Sequence, residues 1–195
     1  MAVLQQTFPT WRELSIHESS PSPRGLSVKL AAECPKYVAT QYAPQFDPGF
    51  RHPHGYQCED LENQTFANGQ FDLVITQDVL EHVLDPDAVF REIARTLKPG
   101  GAHLFTGPIV MRQNRSQVRA SRGEAGKIVN HLPPVYHGNP MAADGSLVTV
   151  DWGLDIVPFI FEAGGLASTI FQIDRLEWGI RAELNEVILS RKLTS

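Results

Sequence analysis

The sequence predicts an α/β fold built on a parallel sheet, because one stretch reads as strand, crossover helix and strand. Residues 71–76 form a short apolar run, which is typical of a strand buried on both faces. Asp85 can cap the helix that follows, and Pro86 suits its first turn. Residues 102–106 supply the second strand. Two parallel strands joined through a helix predict a doubly wound sheet with helices on both faces.

The predicted crossover helix is amphipathic and has a clear end. Its apolar residues recur at helical spacing at Val89, Phe90, Ile93 and Leu97. Lys98 follows where the helix dipole favours a cation, and the Pro-Gly-Gly sequence after it stops a helix. We therefore expect the helix to extend to Lys98.

Length and composition are those of an ordinary globular protein. The 195 residues predict one domain, and the formal charge of −5 argues against a nucleic-acid partner. Cys34 and Cys58 have no zinc-site spacing and predict two free thiols. No apolar run approaches the roughly 18 residues of a membrane span, and the N-terminus does not resemble a signal peptide. We expect a cytoplasmic protein, either a monomer or a homodimer.

The rest of the chain predicts further elements of the same sheet. Helices are expected at 26–34 and 154–163, and strands at 11–17, 37–42, 166–174 and 184–193. The first two strands and the helix between them form a βαβ unit, and such sheets bind nucleotide-like ligands at the strand-to-helix loop.

The run from Phe71 to Thr106 resembles the fourth and fifth strand region of class I S-adenosylmethionine-dependent methyltransferases, in particular the type 11-like group. The matching features are Phe71-Asp72, Glu81-His82 and residues 98–101, and the run covers about a fifth of the chain. The resemblance implies a Rossmann-like, seven-stranded, mostly parallel sheet with an antiparallel last strand, in three α/β/α layers. It also implies that S-adenosyl-L-methionine is the methyl donor.

The first loop departs from that family. Where the family has a glycine-rich turn, this chain has Glu18, Ser19, Ser20 and then Pro21, with no glycine before Gly25. Without glycine, positive φ and close backbone approach are harder to reach. A subset of the family with a His-containing first strand and a glycine-poor, Pro-containing loop is similar, so we expect Glu18, Ser19 and Ser20 to contact the cofactor. The alternative is a plain surface turn in a protein that lost cofactor binding.

The resemblance implies further cofactor contacts from the second and third strands. Gln41 could hydrogen-bond a ribose hydroxyl, and Tyr42 could pack on the adenine. Asp60 falls where the family contacts the adenine amino group, and Leu61 offers its backbone N–H to the ring. The alternative for Asp60 is that it caps a turn.

The end of the strand at 71–76 is the natural crevice of a parallel sheet. Thr76, Gln77 and Asp78 lie there, and the resemblance places Gln77 near the methionine part of the donor.

Asp78, Glu81 and His82 are predicted to share one face of a short helix. In one interpretation they bind Mg²⁺ or another divalent ion, since the pattern is similar to the ExxEH set of metal-assisted O-methyltransferases acting on catechols or RNA 2′-hydroxyls. In the other they are structural, which we favour. In both, His82 is a candidate general base.

Residues 109–152 are predicted to be an insertion that covers the acceptor pocket. Residues 109–145 show little periodicity and predict a long loop, while 146–152 alternate like an extra strand. Within the sequence 136–140, His137 is a candidate base, a fourth metal ligand, or a solvated histidine. The cationic side chains either grip an acidic acceptor or solvate a helix; they are Arg112, Arg115, Arg119, Arg122 and Lys127.

These observations predict a methyltransferase acting on a small molecule, with oxygen ahead of nitrogen because histidines are available as bases. The alternatives are a non-catalytic S-adenosylmethionine-binding protein and a metal-dependent 2′-O-type RNA methyltransferase. A nicotinamide-dependent oxidoreductase is a weaker alternative, because no GxGxxG sequence follows the first strand.

Overall fold

The computed structural model describes residues 1–139 and 142–194. Among these residues the helices are α1 (Ala2–Thr7), α2 (Leu26–Glu33), α3 (Pro86–Thr96) and α4 (Ile156–Gly164). The strands of the main sheet are β1 (Ile16–Ser19), β2 (Tyr37–Gln41), β3 (Gln57–Cys58), β4 (Phe71–Gln77), β5 (Leu97–Thr106), β12 (Leu166–Gln172) and β13 (Glu186–Lys192). The strands between β5 and β12 are β6 (Gln117–Val118), β7 (Ala120–Arg122), β8 (Ile128–Asn130), β9 (Tyr136–Asn139), β10 (Ala142–Leu147) and β11 (Val150–Asp151).

The main sheet has seven strands in the order β12-β13-β5-β4-β1-β2-β3. Its central strands pair in parallel, with Glu18 of β1 beside Ile75 of β4 and Ala39 of β2. The last strand of the chain, β13, runs antiparallel to both β5 and β12. This arrangement confirms the predicted Rossmann-like sheet with an antiparallel last strand.

Two apolar cores lie on opposite faces of the sheet, which gives the three layers. On one face, Val74 and Phe105 pack with Phe90 of α3 and Ile160 of α4. On the other face, residues including Ile75 pack with α1 and α2. Neighbouring strand residues point to opposite faces, so β4 contributes to both cores.

The helix α3 begins as predicted and ends earlier than predicted. Asp85 Oδ1 accepts a hydrogen bond from Ala88 N–H at 3.0 Å, which caps the helix. Leu97 is already extended (φ −72°, ψ 137°), so β5 begins there and Lys98 lies in the strand rather than in the last helical turn. The Lys98 Nζ instead contacts Asp72 Oδ1 of the neighbouring strand at 2.8 Å. This ion pair takes the place of the expected interaction between Lys98 and the helix dipole.

Two other predictions need correction. The predicted strand at 11–17 is a 3₁₀ turn at Trp11–Glu13 followed by β1, because Trp11 turns into the core and is 1% exposed. The predicted loop at 109–145 contains strands that form small antiparallel pairs, and the predicted strand at 146–152 is divided between β10 and β11. Pro140 and Met141, within the predicted insertion, lie outside the described residues.

The longest helix of the described part is α3, with 11 residues. Across residues 1–139 and 142–194, no helix combines the length and the apolar character needed to cross a bilayer.

Candidate cofactor and acceptor site

A cleft of about 650 Å³ opens at the carboxyl ends of β1, β2 and β4. This edge is where open parallel sheets bind their ligands. Its wall includes most of the residues expected from sequence to contact a cofactor, and also His82; they are Ser19, Ser20, Gln41, Tyr42, Asp60, Leu61, Gln77, Asp78 and His82. The prediction that these separate segments meet at one edge therefore agrees with their placement.

The glycine-poor first loop reaches a left-handed backbone through serine. Ser20 directly follows β1 and has φ +56°, a conformation that residues other than Gly, Asn and Asp seldom adopt. Its N–H donates to Thr40 O at 2.8 Å, and Ser22 N–H donates to Ser27 Oγ at 3.0 Å. These hydrogen bonds fix the conformation of the loop at the edge of the cleft, although the loop lacks the glycine expected from the resemblance to class I methyltransferases.

Glu18 lies beneath the cleft wall, not on it as expected. Its Oε1 accepts from Ser27 Oγ at 2.7 Å and from Gln77 Nε2 at 2.6 Å. Its Oε2 accepts from Tyr37 Oη at 2.6 Å. Burial raises the pKa of the Glu18 carboxyl, while these donors act in the opposite direction. The carboxylate thus fixes the first loop and Gln77, so it positions the cleft wall.

Thr76 also lies beneath the cleft, within the sheet. It is fully buried, and its Oγ1 is 3.0 Å from Nε2 of the buried His103. On the neighbouring strand, His17 Nε2 pairs in the same way with Thr40 Oγ1 at 2.9 Å. The two histidine–threonine pairs brace the floor of the cleft.

Both interpretations of Asp60 are compatible with its position. Its Oδ1 accepts from Glu62 N–H at 2.9 Å, which caps a turn. The carboxylate is also half-buried on the cleft wall, where burial is the main cause of its raised pKa. Within the described residues, the Leu61 N–H beside it has no hydrogen-bond acceptor. An acceptor next to an unused donor suits the edge of an adenine ring.

Residues 78–83 form a turn and not the predicted short helix. Asp78 has φ +53°, which is incompatible with a right-handed helix at that point. Its carboxylate Oδ1 accepts from Thr106 Oγ1 at 3.1 Å, and His82 N–H closes the turn on Val79 O at 3.0 Å. Asp78 is therefore held away from the face that it was expected to share with Glu81 and His82.

Glu81, His82 and His137 come together beside the cleft, and His82 also lies on its wall. Glu81 Oε1 lies 3.8 Å from His82 Nε2 and 3.9 Å from His137 Nδ1. The two imidazole rings meet edge to face, with centroids 5.2 Å apart. Sequence reasoning placed Asp78 in this group as well, and the structure brings together the other three residues only. We call them the Glu–His–His cluster.

The environment of the Glu–His–His cluster shifts two pKa values. Burial, with a contribution from the nearby Asp78 carboxylate, raises the pKa of Glu81 to about 7. Burial lowers the pKa of His82. The His82 Nδ1 lies 2.8 Å from Leu147 O. Because a carbonyl only accepts, Nδ1 carries the proton and Nε2 keeps a lone pair directed at the cluster.

The insertion between β5 and α4, residues 109–152, docks on the turn at 78–83. Glu81 O accepts from Thr149 N–H at 2.7 Å and from Thr149 Oγ1 at 3.0 Å. Trp152 Nε1 donates to Leu80 O at 3.2 Å. We call this insertion the lid, and it contributes to the wall Arg122, which was named from the sequence among the cationic side chains. It also contributes wall residues that sequence reasoning missed: Ile128, Gly138, Ser146, Leu147 and Thr149. No motif marked them; the only signal was the length of the insertion.

The arginines of the lid are largely neutralised by acidic partners. Arg112 pairs with Glu186, Arg119 with Asp151, and Arg122 with Glu62, at 2.5, 2.6 and 2.7 Å respectively. Arg115 and Lys127 are exposed. The pairing removes most of the cationic surface that the sequence suggested for gripping an acidic acceptor or a nucleic acid.

Comparisons with known proteins find similarity to methyltransferases. Residues 25–105 match the family model of the methyltransferase domain. A ubiquinone biosynthesis O-methyltransferase from Coxiella burnetii is 39% identical over 51 residues, which are 26% of this chain and 22% of that protein. The chain thus matches only about a fifth of the length of this curated relative.

Solved structures resemble the chain over nearly its whole length. An S-adenosylmethionine-dependent methyltransferase from Mesorhizobium loti superposes with a TM-score of 0.63 at 16% identity, covering 97% of this chain and 96% of that one. A 1,6-didemethyltoxoflavin-N1-methyltransferase from Burkholderia thailandensis, with bound 1,6-didemethyltoxoflavin and S-adenosylhomocysteine, gives 0.53 at 13% identity, covering 98% and 76%. At such identities the likeness establishes the fold.

Proposed function

We propose that this chain, which has the class I S-adenosylmethionine-dependent methyltransferase fold and a methyltransferase domain match over residues 25–105, is an enzyme that methylates a hydroxyl oxygen of a small molecule. The observation that carries the proposal is one cleft with two chemically different ends. One end has the polar strand-end residues suited to a nucleoside, and the other has His82, which belongs to the Glu–His–His cluster. A nucleophile placed between them can lose its proton beside the donor.

The residues present fit S-adenosylmethionine. Asp60 and Leu61 offer an acceptor and a donor for adenine, Gln41 and Tyr42 suit the ribose and ring face, and Ser19 lies at the end of β1. When bound, the cofactor supplies a methyl group on a positively charged sulfur. The chain's own residues supply orientation, through the wall that Glu18 fixes, and exclusion of water, through the lid.

We assign deprotonation of the acceptor hydroxyl to the Glu–His–His cluster. In the metal-free protein, His82 Nε2 has a lone pair facing the cluster, and His137 lies beside it. An alcohol needs such a base because its own pKa lies far above neutrality. This requirement favours oxygen as the acceptor atom and agrees with the O-methyltransferase name of the Coxiella burnetii relative.

The proposal is tested first at the level of cofactor binding. Isothermal titration with S-adenosylhomocysteine should give one site, and Asp60→Ala should raise the Kd about 10-fold or more, because a hydrogen bond to a charged group is lost. Asp60→Asn keeps an oxygen for the Glu62 turn and should retain more affinity. Asp47→Ala, which changes an exposed carboxylate elsewhere, is the matched control. Equal Kd values for Asp60→Ala and Asp47→Ala would overturn the adenine assignment.

Turnover is tested separately, with methyl-labelled S-adenosylmethionine and a panel of small phenols, alcohols and amines. Label transfer to a hydroxyl compound supports the proposal. Tight cofactor binding without transfer to any class would favour the second candidate, a non-catalytic cofactor-binding protein. That candidate is motivated by the glycine-poor first loop at Ser19–Ser22. The paired arginines of the lid give less support to an RNA acceptor.

A further inference from the structure

One part of the lid is a hairpin that is fixed at its base and reaches the cleft wall. It consists of β7, β8 and the turn between them, residues 120–130, and Arg122 pairs with Ile128 across it. We call it the lid hairpin. At its base, Thr149 O accepts from Arg119 N–H at 2.7 Å. Arg122 and Ile128 both lie on the cleft wall, so the lid hairpin extends from a fixed base to the ligand space.

An ion pair joins the lid hairpin to the opposite wall of the cleft. Arg122 Nη2 donates to Glu62 Oε2 at 2.7 Å. Among the described residues, it is the only ion pair that residues 122–130 make with the rest of the protein. The Arg122 side chain is 47% exposed and that of Glu62 is 14% exposed. Because water screens an ion pair with an exposed partner, this one holds the lid hairpin only weakly when no ligand is bound.

Glu62 connects this ion pair to two other parts of the cleft wall. Its Oε1 accepts from the N–H groups of Leu84 and Asp85, at 2.8 and 3.0 Å, just before α3. Its own N–H donates to Oδ1 of Asp60, the residue assigned to the adenine, at 2.9 Å. The hydrogen bond to Glu62 is the main cause of the raised pKa of Arg122, and the nearby Asp60 carboxylate contributes to it. The adenine side, the start of α3 and the lid hairpin therefore meet at one residue.

We propose that Glu62 and Arg122 are positioning residues that couple the donor subsite to the lid hairpin. The inference rests on the proposed function, since it takes the ligand beside Asp60 and Leu61 to be a nucleoside donor. A bound donor excludes water from the cleft, and a lower local dielectric strengthens the ion pair at its edge. The donor also holds the turn at Asp60, which is hydrogen-bonded to Glu62. The lid hairpin is therefore held against the cleft when the donor is in place.

The coupling can be measured without an acceptor, by hydrogen–deuterium exchange of the lid hairpin amides. In the ligand-free protein, Arg122→Ala should speed exchange at 120–130 by about 2- to 5-fold, the range for an exposed ion pair. Saturating S-adenosylhomocysteine should slow this exchange in the wild type, and should slow it less in Arg122→Ala. Arg122→Lys keeps the charge and should recover part of the protection. Lys127→Ala, which removes an exposed cation of the same hairpin, is the matched control and should exchange like the wild type.

Glu62→Gln tests the other partner of the ion pair. The glutamine oxygen can still accept from Leu84 and Asp85, but Arg122 loses its charged partner. Exchange at 120–130 should rise about as much as in Arg122→Ala. The double variant should exchange no faster than either single variant, because each single change already removes the same ion pair.

The outcomes separate this coupling from the proposed function. Circular dichroism checks that Arg122→Ala stays folded, and calorimetry on the same samples measures S-adenosylhomocysteine binding. Normal binding with equal donor-induced protection in Arg122→Ala and the wild type would overturn the coupling alone. Equal ligand-free exchange in Arg122→Ala and Lys127→Ala would also overturn it, because the ion pair would then not hold the lid hairpin. Absence of binding to the wild type would remove the proposed function and the coupling together.

Discussion

At the scale of single residues, the interior of the sheet contains two histidines that stay neutral. His17 and His103 are fully buried on β1 and β5, on either side of Val74. Burial lowers the pKa of each to about 3, and the proximity of His17 adds to the effect on His103. Their threonine partners satisfy Nε2 without adding charge.

The neutral histidines predict a loss of stability in mild acid. The unfolded chain takes up protons below about pH 6.5 while the folded chain does not until about pH 3. Stability is therefore present above pH 6.5 and is lost as the pH falls toward 3. At pH 5 the expected loss is about 2 kcal/mol for each histidine, by linkage. Urea unfolding at pH 7.5 and pH 5 measures it.

Wild-type protein alone does not isolate the histidine contribution to the stability change between pH 7.5 and pH 5. The raised pKa values of Glu18 and Glu81 change stability in the opposite direction over this range. His103→Gln keeps a hydrogen-bonding side chain and should reduce the acid-induced loss by about 2 kcal/mol, the contribution of one histidine. His54→Gln changes an exposed histidine and should leave the loss as it is in the wild type. An identical pH dependence in His103→Gln and the wild type would contradict the prediction.

At the scale of elements, the site depends on how the lid docks on the turn after β4. Thr149 is 2% exposed, and it donates through Oγ1 to both Glu81 O and Val83 O, at 3.0 and 2.5 Å. Its N–H also donates to Glu81 O. These contacts hold the backbone of Glu81 and His82 in place, so the lid and the Glu–His–His cluster are one structural unit.

We expect Thr149→Val to destabilise the protein by about 1–3 kcal/mol, because Val83 O loses its buried donor while side-chain volume is retained. Urea unfolding measures this change in the free energy of unfolding. Thr169→Val, on an exposed position of β12, is the matched control and should change stability by less than about 0.5 kcal/mol. Equal free energies of unfolding in Thr149→Val and Thr169→Val would show that the hydrogen bonds of the Thr149 hydroxyl do not stabilise the protein.

At this scale, the features that could be predicted from the sequence are those set by interactions between residues close together in the chain. The crossover from β4 through α3 to β5 was predicted from capping and periodicity, which act within a few residues. The lid was predicted as a long loop at 109–145 followed by one strand at 146–152. Its strands are short, for example Gln117–Val118 and Val150–Asp151, and they pair across about 30 residues of chain, so no local pattern marks them.

At the scale of the whole molecule, the cleft is lined by segments that follow β1, β2, β3 and β4 and by the lid. A ligand that fills it therefore contacts segments that are far apart in the sequence. Any ligand that binds the folded state alone stabilises that state in proportion to the logarithm of its concentration.

We expect S-adenosylhomocysteine at 100 times its Kd to raise the free energy of unfolding by about 2.7 kcal/mol. Thermal or urea unfolding at increasing ligand concentration measures the rise, which should keep growing with the logarithm of concentration. NADH is the control, because no GxGxxG sequence follows the first strand. A shift with NADH and none with S-adenosylhomocysteine would favour the oxidoreductase alternative.

The sequence alone determined the sheet and the position of its cleft. Parallel strands linked through helices have few allowed topologies, and their carboxyl ends share one edge. The placement of Gln41, Asp60 and Gln77 on one wall follows from that rule.

Only the tertiary structure decided which polar groups face the cleft. Glu18 turned beneath the wall because Ser27, Tyr37 and Gln77 occupy its oxygens. The Glu–His–His cluster exists because the lid folds back on the turn, where His82 meets the carbonyl of Leu147 across 65 residues of chain. Contacts at that separation are set by packing of the whole domain, and no residue spacing encodes them.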